Sequence, residues 1–275
     1  MKRILATAIA AMAFGLGSAM AQDKIVIGTE GAFPPWNGTS PNGELFGAEI
    51  DLIGALCEQM GASCEIVTND FDSMIPALNA GKFDAIMAAM SITDERRQRI
   101  NFSKPYFGDP ARLAVLSGSP LEGLALAEKL NLDTPGAATE ETVAALRDAL
   151  AGKTIGAQIS TTHANFIEQV LGDAVTLRTY QTQDDMNLDL EAGRIDGAVA
   201  ENSVWTDFIK SGAGGNVALT GPLLSGGVFG EGIGVGLRKA DEDLLARFNA
   251  AIYGLKADGT LREISVKWFG VDATL

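Results

Sequence analysis

The pattern in this chain that most clearly suggests chemistry is an arginine placed a few residues after an apolar run. The run 85–90 predicts a buried parallel strand, and Thr93 is a natural N-cap for a helix that begins at Asp94. Arg96 then lies in the first turn of that helix. Open α/β sheets hold small anions where a strand ends and a helix begins, and arginine binds a carboxylate through two parallel hydrogen bonds. We therefore expect a carboxylate site here; the alternative is a plain helix N-terminus with a surface arginine.

The amino terminus has the pattern of a secretory signal. Lys2 and Arg3 precede a short apolar stretch, and Ala19 and Ala21 form an Ala-x-Ala cleavage site. We expect residues 1–21 to be a signal peptide that is cleaved after Ala21, and the mature protein to be periplasmic. A retained membrane anchor is the alternative, but the apolar stretch is short for a bilayer span.

Composition limits the partners and the cofactors. The formal net charge of −14 argues against nucleic acid and anionic membrane surfaces as partners. Cys57 and Cys64 are the only cysteines, and one disulfide is the default for such a pair in an exported protein. With a single histidine, His163, far along the chain, they make a weak metal site. We expect no metal and no cofactor, and we expect His163 to hydrogen-bond locally.

Predicted strands and helices alternate in two separate blocks, which indicates an α/β fold with two sheets. The first block has strands at 24–28, 64–68 and 83–90 and helices at 48–60, 72–80 and 93–99. The second has strands at 154–158, 174–178 and 195–200 and helices at 162–171, 183–192 and 202–210. A helix-rich insertion at 121–150 precedes it, a loop is expected at 221–227, and a strand at 232–237 leads to helices at 241–256 and 260–268.

We infer two lobes that the chain connects twice. Lobe 1 is expected to comprise residues 22–108 and 230–275, and lobe 2 residues 109–229. A cleft should lie between the carboxyl ends of the two sheets. Two connections form a hinge, so the lobes are expected to close on a ligand.

Five short motifs in order resemble the periplasmic solute-binding proteins of ABC importers, within the polar amino acid family and nearest the lysine/arginine/ornithine and histidine binders. The motifs are IGTE at 27–30, DFDSMIPAL at 70–78, MSITDER at 90–96, GRID at 193–196 and GIGVGLRK at 232–239. The resemblance implies a two-lobed type II periplasmic binding protein fold, with two parallel or mixed sheets flanked by helices and a two-strand hinge. It also implies the disulfide Cys57–Cys64.

The resemblance implies which residues hold the charged ends of an amino acid. By this resemblance, Arg96 and the backbone amides of Thr161 and Thr162 bind the α-carboxylate, and Glu201 and Ser91 bind the α-ammonium. The charges fit a zwitterion, because arginine attracts its carboxylate and glutamate its ammonium. Both charged residues follow predicted strands, in different lobes. The alternative role for Glu201 is that of a solvated helix cap.

The same resemblance implies the contacts of the ligand's side chain. Phe33 and Phe71 sandwich its aliphatic part, Glu30 faces its far end, and Gln158 adds a further contact. Aromatic faces tolerate a guanidinium, and Glu30 favours a cationic tail. The two aromatics could instead be ordinary core residues, and Gln158 a polar residue of no functional consequence.

Two alanines depart from the pattern of the relatives. Ala88 and Ala89 stand where serines are usual, so the pocket should be wider and less polar, which would suit an opine (an amino acid N-linked to a keto acid). We expect a monomeric, non-enzymatic component of an ABC importer for cationic amino acids or opines, with membrane permease subunits as partners. An enzyme resembling the periplasmic cyclohexadienyl dehydratases, with Glu30 or Glu201 as general acid, is one alternative, and a chemoreceptor module is another.

Overall fold

The structure is a computed structural model that describes residues 24–275. The expected signal peptide lies outside the described residues. In the described part of the chain, no helix has the length and apolar character needed to cross a membrane.

Residues 24–275 form two main sheets, a short hairpin and nine α-helices. The strands are β1 (Lys24–Thr29), β2 (Gly38–Thr39), β3 (Leu45–Phe46), β4 (Ser63–Thr68), β5 (Ala85–Ile86), β6 (Asn101–Phe102), β7 (Ala111–Leu116), β8 (Lys129–Asn131), β9 (Thr154–Gln158), β10 (Thr176–Tyr180), β11 (Gly197–Glu201), β12 (Val217–Ser225) and β13 (Gly236–Leu237). The α-helices are α1 (Ala48–Met60), α2 (Met74–Asn79), α3 (Asp94–Arg99), α4 (Ala137–Ala149), α5 (Thr162–Phe166), α6 (Gln183–Glu191), α7 (Asn202–Lys210), α8 (Glu242–Ala257) and α9 (Thr260–Phe269).

The first sheet has the strand order β4-β1-β5-β13-β6. β1 pairs in parallel with β4 and β5, whereas β13 is antiparallel to both of its neighbours. The side chains of alternate residues of β1 lie on opposite faces of the sheet. Ile25 and Ile27 belong to the core under α1, α8 and α9, and Val26 packs on the core under α2. The sheet is therefore covered on both faces, as a mainly parallel sheet requires.

The second sheet has the order β10-β9-β11-β7-β12-β8. β9 is parallel to β10 and β11, but β7 is antiparallel to β11 and β12, so this sheet is mixed. The chain enters it through β7 and leaves it through β12, and these two strands are neighbours. The two connections between the sheets, 103–110 and 226–235, therefore meet the second sheet side by side, at the start of β7 and the end of β12.

The disulfide between Cys57 and Cys64 is present. It joins the last turn of α1 to β4, as the sequence indicates. Within the described residues, no group of three or more His, Cys, Asp or Glu side chains is placed to hold a metal ion.

Three predicted segments differ from the observed ones. The strand expected at 83–90 is paired only over Ala85–Ile86, because the chain turns away and Ala89 adopts a left-handed backbone with φ of 50°. The strand expected at 232–237 is likewise confined to Gly236–Leu237. The loop expected at 221–227 is wrong, since β12 continues to Ser225 and pairs there with β8 of the insertion.

Candidate functional site

A small cavity lies where strands of both sheets end. Residues following β1 and β5 form one side of it, and residues at or after the ends of β9 and β11 form the other. All eleven residues expected to contact a ligand line it, together with His163: Glu30, Phe33, Phe71, Ala88, Ala89, Ser91, Arg96, Gln158, Thr161, Thr162 and Glu201. The fold thus brings the predicted residues together around one space.

Arg96 is held in place by its own helix start. Thr93 is the N-cap of α3, and its hydroxyl accepts a hydrogen bond from the Arg96 backbone N–H at 3.2 Å. The guanidinium donates to the Ser91 carbonyl at 2.9 Å and lies 5.6 Å from the centre of the Phe71 ring. Burial lowers the pKa of Arg96 to about 10, and the nearby Glu201 offsets part of that effect. Arg96 therefore remains a cation at neutral pH.

The opposite wall meets Arg96 through a tight turn. Arg96 Nη2 donates to the Ser160 carbonyl at 3.0 Å, and Ser160 has a left-handed backbone with φ of 61°. The Thr161 hydroxyl then caps α5 by accepting from the Ala164 N–H at 3.2 Å, and it donates to the Gln158 carbonyl at 2.6 Å. Two side-chain hydrogen bonds therefore fix the turn that faces the guanidinium.

Glu201 is a buried acid with an unpartnered oxygen. It is the last residue of β11 and is only 5% exposed, so it is not a solvated helix cap. Within residues 24–275, its Oε2 atom forms no hydrogen bond, although His163 Nε2 lies 3.3 Å away. Burial raises the pKa of Glu201 well above its usual value, and the neighbouring Asp109 raises it further. A buried carboxylate oxygen without a donor is costly, so this site favours a cation that brings donors to it.

His163 is the one lining residue that the sequence did not place in the site. Its ring is 4% exposed and packs near Phe229, 6.1 Å between ring centres. Burial lowers its pKa to about 3, and the charge of Arg96 acts in the same direction. The imidazole is therefore neutral at physiological pH, and its contact with Glu201 is not an ion pair. Its position directly after the Thr161–Thr162 turn was the available signal.

The far end of the cavity is closed by a contact between the two sheets. Gln158 Nε2 donates to Glu30 Oε1 at 2.5 Å and to the Gln181 carbonyl at 2.9 Å. Burial raises the pKa of Glu30 to about 7, and nearby carboxylates, Asp70 first among them, add to the rise. Phe33 and Phe71 are both under 10% exposed. This end combines two apolar rings with an acid that is easily neutralised.

One larger groove lacks the opposed charges. The groove of about 900 Å³ beside α3 has Asp94, Glu95, Asp133 and Glu231 in its wall, and its lining contains no basic side chain. It offers nothing for a carboxylate. The smaller cavity between the sheets is therefore the better candidate for a zwitterion.

Comparison with known proteins shows the family of this chain. The sequence matches the family model of bacterial extracellular solute-binding proteins, family 3, over residues 25–271. The chain belongs to this family. It is similar to the octopine-binding periplasmic protein of Rhizobium meliloti, at 38% identity, covering 100% of this chain and 99% of the relative. It is also similar to the L-arginine-binding protein of Pseudomonas aeruginosa, at 36% identity, covering 98% and 97%.

A solved structure of a similar protein shows which fold this chain has. The periplasmic His/Glu/Gln/Arg/opine family-binding protein from Silicibacter pomeroyi, solved in complex with lysine, superimposes with a TM-score of 0.72 at 32% identity, covering 91% of this chain and 99% of that one. This family 3 protein therefore has the two-lobed type II periplasmic binding protein fold. Its curated relatives are binding proteins of amino acid transport, and it is a binding protein rather than an enzyme, as predicted.

Proposed function

We propose that this protein captures a cationic α-amino acid, or an opine derived from one, between its two lobes and delivers it to the permease subunits of an ABC importer. The observation that carries the proposal is that Arg96 and Glu201 line the same cavity from different sheets. One is a cation after a strand of the first sheet, and the other is a buried acid at the end of a strand of the second, whose Oε2 atom has no hydrogen bond within residues 24–275. A zwitterion that satisfies both favours closure of the lobes.

The charged ends of the ligand are assigned accordingly. Arg96 binds the α-carboxylate as a two-pronged donor, with the backbone amides of Thr161 and Thr162 completing the site. Glu201 and the Ser91 hydroxyl bind the α-ammonium. Filling this position would give the Glu201 Oε2 atom the donor that it lacks within residues 24–275.

The side chain of the ligand lies between Phe33 and Phe71 and ends near Glu30 and Gln158. A cationic tail would favour the ionised form of Glu30 and take the place of Gln158 as its partner. This supports arginine, lysine, ornithine or histidine over neutral amino acids. The names of the relatives, which bind octopine and arginine, support the same class.

An opine fits one further feature of the cavity. Ala88 and Ala89 contribute no hydroxyl to the wall near the ammonium position, and both are at most 5% exposed. The methyl side chains leave room for a substituent on the amino nitrogen that serines would crowd. Octopine keeps a positive nitrogen for Glu201 and adds a second carboxylate beside it.

The remaining features of the proposal concern processing and assembly. Lobe 1 comprises residues 22–108 and 230–275, and lobe 2 residues 109–229. The signal peptide is cleaved after Ala21, and the mature protein acts in the periplasm as a monomer. The two connecting segments serve as the hinge.

Isothermal titration of the mature protein against arginine, lysine, ornithine, histidine, glutamine and octopine tests the proposal. We expect at least one cationic member to bind with a Kd between about 1 µM and 1 nM, that is, about −8 to −12 kcal/mol. Glutamine serves as the neutral control and should bind more weakly. Absence of binding to every member of the panel would refute the proposed function.

A further inference from the structure

A second buried acid, Glu49, lies behind the cavity and does not line it. It is the second residue of α1 and is fully buried. Its carboxylate accepts hydrogen bonds from the Asn37 side chain at 2.7 Å and from the Tyr106 hydroxyl. The Ala89 N–H donates to both of its oxygens, at 2.8 and 2.9 Å. Three separate segments of the first lobe therefore meet on one carboxylate.

Two of these segments carry the walls of the cavity. Ala89 lines it directly and holds a left-handed backbone that is unfavourable for a residue with a Cβ. Asn37 connects to the loop that bears Glu30 and Phe33: its Oδ1 accepts from the Gly31 N–H at 2.8 Å, and its carbonyl from the Phe33 N–H at 2.7 Å. Glu49 thus holds two segments of the first-lobe wall: it bonds Ala89 directly, and it reaches the loop of Glu30 and Phe33 through Asn37.

The chemistry of the partners favours a carboxylate at this position. Asn37, Ala89 and Tyr106 all present donors, and an ionised carboxylate is an acceptor only. A glutamine of the same shape accepts through one oxygen only, so its N–H₂ group would face the Asn37 or Ala89 donor or require the Tyr106 hydroxyl to turn and accept. Burial raises the pKa of Glu49, while the three donors act against that rise.

We propose that Glu49 is a positioning residue of the binding site: without touching the ligand, its carboxylate fixes Ala89 and the loop 31–37 in the arrangement that the ligand needs. The inference rests on the proposed function, because it takes the cavity to be the ligand site. It adds a residue to that site which is set in the core of the first lobe. The Tyr106 contact extends the same network to the first connection between the lobes.

A matched pair of variants distinguishes a role of Glu49 in positioning the site from a general contribution to the stability of the fold. Asp189 is the control, since it is also a buried acid with three donors: Tyr180, Arg194 and Arg178. It lies in the second lobe and does not line the cavity. We expect Glu49→Gln and Asp189→Asn both to lower Tm. Only Glu49→Gln should weaken ligand binding, at least tenfold at a temperature where both variants are folded, while Asp189→Asn stays within twofold.

Hydrogen exchange of the ligand-free protein gives a second readout, and it tests Glu49 even if no member of the ligand panel binds. We expect Glu49→Gln to speed exchange of the Ala89 and Gly31 N–H groups at least tenfold, with Asp189→Asn unchanged there. Equal effects of the two variants on affinity and on exchange would overturn the proposal. If Glu49→Gln does not fold, Asn37→Ala replaces it: Gly31 exchange should rise and affinity fall, and no change in either would also overturn it.

Discussion

Gln158 and Glu30 lie 128 positions apart in the sequence, and they join the two lobes directly through a hydrogen bond of 2.5 Å. Arg96 and Ser160 form a second link between the lobes, at 3.0 Å. Both links lie in the wall of the proposed site. A ligand with a cationic tail and a carboxylate would replace the protein's own polar contacts at both ends. Affinity should therefore depend on groups that already have partners in the structure.

Replacing Arg96 with alanine should remove binding. Losing one partner of a buried, hydrogen-bonded charge pair costs about 2 kcal/mol or more, so we expect Kd to rise at least about 30-fold by isothermal titration. Arg97→Ala is the matched control, because Arg97 is a neighbouring surface arginine whose partner, Glu231, is also exposed. Exposed ion pairs contribute little. Unchanged affinity in Arg96→Ala would remove Arg96 from the site.

Replacing Glu201 with glutamine tests the ammonium position. The variant keeps the size of the side chain but not its charge, so a bound ammonium would face a neutral group in a buried site. We expect at least a tenfold loss of affinity for an amino acid ligand, measured by titration at pH 7.5. Glu168→Gln, on the exposed side of the second lobe, should bind as the wild type does. A Glu201→Gln variant with full affinity would contradict the assignment.

Binding of a cationic ligand should release protons near neutral pH. The pKa of Glu30 is raised to about 7 in the ligand-free protein, and a cationic tail would lower it again. Affinity should therefore rise as the pH increases through about 7. Titrations in buffers of different ionisation enthalpy measure the released protons. Glu30→Gln should reduce proton release, and a pH-independent affinity in the wild type would contradict this role.

The stability of the ligand-free protein should follow the opposite trend. Because the folded-state pKa of Glu30 lies above the ordinary value of 4.5, the folded state binds the proton more tightly than the unfolded state does. The resulting stabilisation is fully present below pH 4.5 and is lost as the pH rises to about 7. Thermal melts of wild type and Glu30→Gln between pH 4.5 and 8 should therefore differ in slope. Parallel melting profiles would exclude this linkage.

The disulfide should contribute to stability but not to binding. Cys57 and Cys64 are seven positions apart in the sequence, and neither of them lines the cavity. A cross-link of this length contributes about 2 kcal/mol. We expect the double variant Cys57→Ser, Cys64→Ser to melt at a lower temperature with Kd unchanged when it is titrated well below that temperature. A large change in Kd would show that the link between α1 and β4 also shapes the site.

Much of the fold follows from local sequence. The predicted bounds of α1, β9 and α7 agree with the structure, because each has an apolar period of its own and clear end signals. Thr93 acts as the helix cap that its position suggests. The strand expected at 83–90 is shorter than predicted, because its apolar run ends in a turn held by Glu49 from a distant helix. The strand expected at 232–237 is shorter too.

The sequence by itself determined that an arginine and a glutamate would follow strands of two different sheets, since residue type and strand periodicity are local properties. Only the tertiary structure decided that the Glu201 Oε2 atom would lack a hydrogen bond within the described residues, that His163 would be buried beside it, and that Glu49 would hold Ala89. Hydrogen bonding and desolvation depend on distances of a few ångströms between segments far apart in the chain. Those distances are set by how the two sheets pack, which no local pattern records.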